Sequence, residues 1–223
     1  MFKEVDKYIA EFLGTFFLVF FGCGSVIVHQ LDPVAAPGFI IPVVFGATVS
    51  VIIYTIGHIS GAHLNPAVTV AFYFSRTFPI SSIPGYVFFQ IAGAVAASMV
   101  HYGIWGASSV TTLVTTLSVD PSRGLLIEVL ISFFLMFVVI GVATDTRAVG
   151  ELAGIAIGFA VAISVVGGPL TGASMNPART IGPALVSGNF DHLIVYRRAC
   201  DWDCTRCSCI SKKILCGRLS SSD

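Results

Sequence analysis

The sequence predicts an all-α membrane protein: five full spans and two half-helices arranged as an inverted repeat. Three observations carry this. The 223 residues are 55% hydrophobic and only 11% charged, where a soluble domain carries about 25% charged residues. Five segments, roughly 8–29, 38–57, 84–105, 124–144 and 151–170, meet the about 20 mostly apolar residues that cross a bilayer core in a helix. Two shorter apolar segments, about 65–75 and 176–187, each open on Asn-Pro-Ala and align with one another without gaps.

Composition also excludes classes. Twelve basic and twelve acidic residues cancel to zero net charge, so the basic surplus of a nucleic-acid binder is absent. A mean hydropathy of +0.89 is incompatible with a disordered chain. The charges are segregated: from Phe12 to Ser187 they are Asp32, Arg76, Asp120, Arg123, Glu128, Asp145, Arg147, Glu151 and Arg179. The rest lie at the two ends.

The first span, Tyr8 to His29, is too long for a signal-peptide core, and Glu4 and Asp6 dilute a positive start. Pro33 and Pro37, Pro79 and Pro84, Pro121 and the stretch 144–150 punctuate the spans as loops. Lys3, Lys7, Arg76 and Arg147 fall on one side, against Arg123 and Arg179 on the other. This bias places the N-terminus in the cytoplasm. In each short segment proline suits the first helical turn, where its missing N–H is not needed, and asparagine suits the cap. Half-helices are therefore predicted to begin at Asn65-Pro66-Ala67 and Asn176-Pro177-Ala178.

The repeat runs from Ser60-Gly61-Ala62-His63-Leu64-Asn65-Pro66-Ala67-Val68-Thr69 to Thr171-Gly172-Ala173-Ser174-Met175-Asn176-Pro177-Ala178-Arg179-Thr180. Glu11 followed by Phe16-Phe17-Leu18 matches Glu128 followed by Phe133-Phe134-Leu135. A repeat unit of three spans inverts its partner, and inverted repeats with interrupted helices place a site near the midplane. Non-helical backbone at that depth must be buried or line a wet cavity. A pathway between the halves is the expectation, with a half-helix entering from each face.

Asn65 and Asn176 would then cap half-helices whose positive dipole ends converge, a field that repels cations. Their side-chain amides can donate to a passing water or hydroxyl oxygen and interrupt a proton-conducting chain. Pro66, Ala67, Pro177 and Ala178 are expected to hold the two ends together. Arg179 stands where the first repeat has Val68. An arginine in a span costs a few kcal/mol even on the gentlest scale, so a fixed positive charge at the outer pore mouth is predicted. His58 and His63 have no carboxylate or cysteine partner in a ligand pattern, and no metal or other cofactor is expected. Cys200, Cys204, Cys207 and Cys209 lack paired zinc-ligand spacing.

Gly57-His58-Ile59-Ser60-Gly61-Ala62-His63-Leu64-Asn65-Pro66-Ala67-Val68-Thr69 resembles the first signature loop of the aquaporin, or major intrinsic protein, family. Gly172-Ala173-Ser174-Met175-Asn176-Pro177-Ala178-Arg179 resembles the second. Gln90-Ile91-Ala92-Gly93-Ala94 and the two glutamates also match. The resemblance covers about residues 5–190. It implies an aquaporin-like fold, assembly as a homotetramer in the lipid bilayer, and a passive pore for water and small neutral solutes. It makes Glu11 and Glu128 buried acceptors for loop N–H groups; His58, like His63, reads on its own residues as a loop-bracing or cytoplasmic-vestibule histidine. It also implies a narrowest zone of Phe45, Ser164, Ala173 and Arg179. Water-selective relatives usually carry histidine at the Ser164 position, so a wider opening is expected. Thr180 replaces the aspartate of the glycerol-facilitator pattern.

After Ser187 the family pattern calls for a sixth span, whereas the apolar run there is only Leu193–Tyr196. The expectation is a channel domain over residues 1–190, the sixth span missing, and a basic, Cys- and Ser-rich disordered tail over 191–223. Two other functions compete: a non-conducting or regulatory variant, and a proton-coupled transporter using Glu11 or Glu128. No nucleophile–base pair suggests an enzyme.

Overall fold

The computed structural model describes residues 2–144 and 148–190. Arg147, the tail over 191–223 with its cysteines, and the stretch on which the sixth-span expectation rests lie outside them. Among the described residues nine α-helices run in order: α1 Glu4–Leu31, α2 Ile40–Ser60, α3 Pro66–Phe74, α4 Ile83–Trp105, α5 Ala107–Thr111, α6 Pro121–Thr144, α7 Ala153–Val165, α8 Gly168–Thr171 and α9 Pro177–Ser187. Among the described residues there is no strand.

The helices containing α1, α2, α4 and α6 are long and apolar enough to cross a membrane. The fifth predicted span is different. Its helix, Gly150–Val165 with its tight first turn, is shorter than the other four, and the chain resumes as α8. The break has a local cause. Gly167 and Gly168 are poor helix formers, and Pro169 carries no N–H. The amides of Val166 and Gly167 fold back to the carbonyls of Ile163 and Ser164, the tighter winding that commonly ends a helix. Both half-helices begin where the sequence places them, each with asparagine as the cap and proline in the first turn.

α1 packs on α2 and α4, α2 on α7, α4 on α9, and α6 on α7. In a bilayer apolar burial does not drive helices together, and small residues that allow close approach take over. A Cβ on Gly93 of α4 would meet the Phe12 carbonyl and, at 3.0 Å, the Phe16 amide of α1. One on Gly182 of α9 would lie 2.8 Å from the Ala94 carbonyl of α4. Gly46 and Gly158 meet at the α2–α7 crossing, where a Cβ on either would come within 2.5 Å of the other's carbonyl oxygen. Gly158→Val should therefore cost about 1–3 kcal/mol or more by overpacking against backbone. Thermal unfolding in detergent should show the loss, with Gly103→Ala, a position facing open space, unaffected.

The outer face of α1 exposes Ile9, Leu13, Phe17 and Phe21, one per turn. Such a face suits hydrocarbon, while the backbone behind it is satisfied within the helix.

Candidate pore and its two signature loops

The two loops leading into the half-helices share one backbone path. Gly61, Ala62 and Leu64 have φ of 90, 48 and 57°, and Gly172, Ala173 and Met175 have 80, 40 and 48°. Left-handed conformations at non-glycine residues persist only when the surroundings hold them. Here buried carboxylates do so. Glu11, fully buried on α1, accepts from the His63 amide at 2.9 Å and the Leu64 amide at 2.8 Å. It also accepts from Ser60 Oγ and Gln90 Nε2, both at 2.7 Å. Glu128 on α6 accepts from the Ser174 and Met175 amides at 3.1 and 3.3 Å. Both carboxylates thus point at backbone donors rather than at a transport path.

Each cap asparagine does two things. Asn65 Oδ1 accepts from the Ala67 amide at 2.8 Å, and Asn176 Oδ1 accepts from the Ala178 amide at 3.0 Å and the Arg179 amide at 3.4 Å. Across the repeat, Asn65 Nδ2 donates to the Met175 carbonyl at 2.7 Å, and Asn176 Nδ2 donates to the Leu64 carbonyl at 2.8 Å. The N-termini of α3 and α9 are thereby tied together. A carboxamide has two N–H donors, so this brace uses one on each asparagine. Pro66, Ala67 and Ala178 are buried in the joint, and Pro177 opens α9 beside them.

A cavity of about 740 Å³ runs past this joint. Phe45 and His58 both line it and lie near opposite ends of α2, so the cavity follows that helix for most of its length. Tyr54, His58, Thr144 and Glu151 line it, Tyr54 and His58 toward the C-terminal end of α2; Asn65 and Asn176 line it at the joint; and Phe45, Ala173 and Arg179 line it too, with Arg179 over the Phe45 ring toward the N-terminal end of α2. Between them the wall is apolar, with Leu18, Val49, Leu135, Val139 and Val161. His58 is exposed and meets the Phe2 ring edge-on at 5.8 Å. His63 is instead buried, Nδ1 3.1 Å from Thr69 Oγ1, among the rings of Phe72, Phe78 and Tyr86.

Arg179 is only 7% exposed. Its Nη1 donates to the Leu113 carbonyl at 3.4 Å, and its guanidinium lies 5.9 Å from the centre of the Phe45 ring. Among the described residues it forms no salt bridge, so its charge stays unneutralised by direct pairing.

Three of the four residues expected in the narrow zone, Phe45, Ala173 and Arg179, line the cavity. Ser164 does not join them. It is 2% exposed and directs Oγ toward the Ile131 carbonyl of α6 at 3.5 Å, while the next residue, Val165, lines the cavity. The cavity face of α7 runs at regular helical spacing through Gly154, Ile157, Val161 and Val165, and Ser164 lies one residue off it, against α6. The Leu113 carbonyl and the Leu18 side chain were also outside the sequence reading, since neither carries a motif.

Comparison with known proteins agrees with this architecture. The family model for major intrinsic proteins matches residues 1–199. The chain is 48% identical over 194 residues to aquaporin NIP1-3 of Oryza sativa subsp. japonica, covering 86% of this chain and 67% of that one. It is 44% identical over 195 residues to nodulin-26 of Glycine max, covering 86% and 71%. Among solved structures, the aquaglyceroporin from Plasmodium falciparum superposes with a TM-score of 0.81 over 95% of each chain, at 23% identity. At that identity the likeness speaks for the fold. The chain belongs to the major intrinsic protein family and is a multi-pass integral membrane protein with the aquaporin-like fold.

Proposed function

We propose that this protein is a passive channel for water and small neutral solutes that excludes ions and protons. The observation that carries this reading is the reciprocal brace of Asn65 and Asn176 beside a continuous, mostly apolar cavity. The brace leaves one N–H on each amide to donate to a passing oxygen. An oxygen held by both donors turns its own hydrogens away from its neighbours, which breaks a proton wire at that point. The half-helix dipoles add a positive potential there, and Arg179 adds another at the Phe45 end. Apolar walls elsewhere bind the permeant weakly, so it can leave as readily as it enters. The relatives named as aquaporins support the same substrate class.

In this reading residues 1–190 form the channel unit, followed by a separate tail, and the N-terminus is cytoplasmic. The unit assembles as a homotetramer through its apolar outer faces. Asn65, Pro66, Ala67, Asn176, Pro177 and Ala178 form the midplane joint, with Glu11 and Glu128 in support, while His58 lines the cavity as a vestibule histidine. Phe45, Ala173 and Arg179, with Val165 in place of Ser164, set the narrow zone.

The test is osmotic. Liposomes holding the full chain should shrink in a sucrose gradient and re-swell in glycerol faster than empty ones. Equal rates, with insertion verified, would rule the channel out. Val165→Ala should raise the glycerol-to-water permeability ratio by about tenfold, the low end for a methylene-scale change in a fitted pocket. Ser164→Ala should leave the ratio unchanged. The opposite pattern would return the filter position to Ser164.

A further inference from the structure

Gly22 sits in the middle of α1, where glycine is about 1 kcal/mol less favourable than alanine. Its local helix offers no reason for that choice. Its neighbour across the helix interface does. A Cβ on Gly22 would lie 2.5 Å from Phe45 Cδ1 and 2.8 Å from Cζ, and closer still to Cε1. The Phe45 ring thus rests directly on the backbone of α1. Leu18, one turn earlier on the same face of α1, lines the cavity, as does Phe45 itself. The Arg179 guanidinium lies over the same ring, 5.9 Å from its centre.

From this contact, which rests on the channel reading above, we infer that Gly22 is a positioning residue for selectivity. The missing side chain recesses the Phe45 ring into α1 and keeps the narrow zone open to solutes larger than water. A Cβ there displaces a rigid aromatic ring, and the free space beside that ring is the cavity. The ring therefore moves into the permeation path. The effect reaches the permeant only through Phe45, which separates it from ordinary packing.

The experiment uses the full chain in liposomes, with glycerol and water as probes, and compares wild type, Gly22→Ala, Phe45→Leu and the double variant. Gly22→Ala should lower the glycerol-to-water ratio by about tenfold while water flux falls far less. In the Phe45→Leu background the same change should have no effect on the ratio, because the ring it displaces is gone. Thermal unfolding in detergent gives a second readout: Gly22→Ala should lower Tm in wild type and not in Phe45→Leu. An unchanged ratio for Gly22→Ala, or an equal drop in both backgrounds, would overturn the assignment. If Gly22→Ala fails to insert, insertion of the double variant with the Phe45→Leu ratio supports it, and failure of both overturns it. A wild type that passes neither probe would sink the channel reading instead, and the paired Tm shifts would still decide the Gly22–Phe45 contact.

Discussion

Arg179→Val is expected to turn the pore into a leak for protons and monovalent cations while leaving water flow largely intact. The charge lies at the Phe45 end of the cavity, 7% exposed and without a salt-bridge partner among the described residues. A fixed positive charge about 5 Å from a passing cation raises its energy by about 3 kcal/mol at an effective dielectric constant near 20. Removing it should raise cation or proton conductance by about a hundredfold. Valine is the natural replacement, since Val68 occupies the matching position of the first repeat and also lines the cavity. The substitution strands the Leu113 carbonyl, which accepts from Nη1, and should lower thermal stability by about 1–3 kcal/mol. A pH-sensitive dye inside liposomes, read under a clamped potassium potential, measures the leak. Background proton flux with normal water flux would remove Arg179 from ion exclusion and leave the two half-helix dipoles as its source.

The parts of the pore that were legible in the sequence are those where the chain carries an expensive residue or a stereotyped end. Asn-Pro-Ala marks a helix start by capping and by proline's missing N–H, so both half-helices begin where expected. Glu11, Glu128 and Arg179 stand out because ionised groups are rare in apolar segments. Three other features depend on how the elements meet, and sequence spacing carries no record of that. The face of α7 that meets the cavity runs through Gly154, Ile157, Val161 and Val165, and leaves Ser164 against α6. The Leu113 carbonyl that receives Arg179 is a backbone atom with no residue signature. Gly22 reads as a flaw in a good helix until Phe45 is seen lying on it.

Removing the Glu11 carboxylate should be the most damaging single change to the fold of the pore. Glu11 receives four hydrogen bonds: from Ser60 Oγ, the amides of His63 and Leu64, and Gln90 Nε2. In Glu11→Leu the two buried amides lose their acceptor at about 1–3 kcal/mol each. The left-handed backbone at Ala62 and Leu64 also loses what holds it, and such conformations store about 1–3 kcal/mol apiece. The sum rivals the whole stability of an ordinary domain, about 5–15 kcal/mol, so little folded protein should be recovered. Glu11→Gln keeps one acceptor oxygen but turns an NH₂ group toward donors, so it should fold with a clearly lower Tm. Glu128 accepts two backbone amides at the longer distances of 3.1 and 3.3 Å, with a hydroxyl bond from Thr171. Glu128→Gln should therefore cost less than Glu11→Gln. Thermal unfolding in detergent, followed by size-exclusion with fluorescence detection, ranks the three. If Glu11→Leu unfolds at the wild-type temperature, the loop is held by the Asn65 and Asn176 braces instead. If Glu128→Gln proves as costly as Glu11→Gln, the count and length of the accepted hydrogen bonds do not set the stability of the two loops.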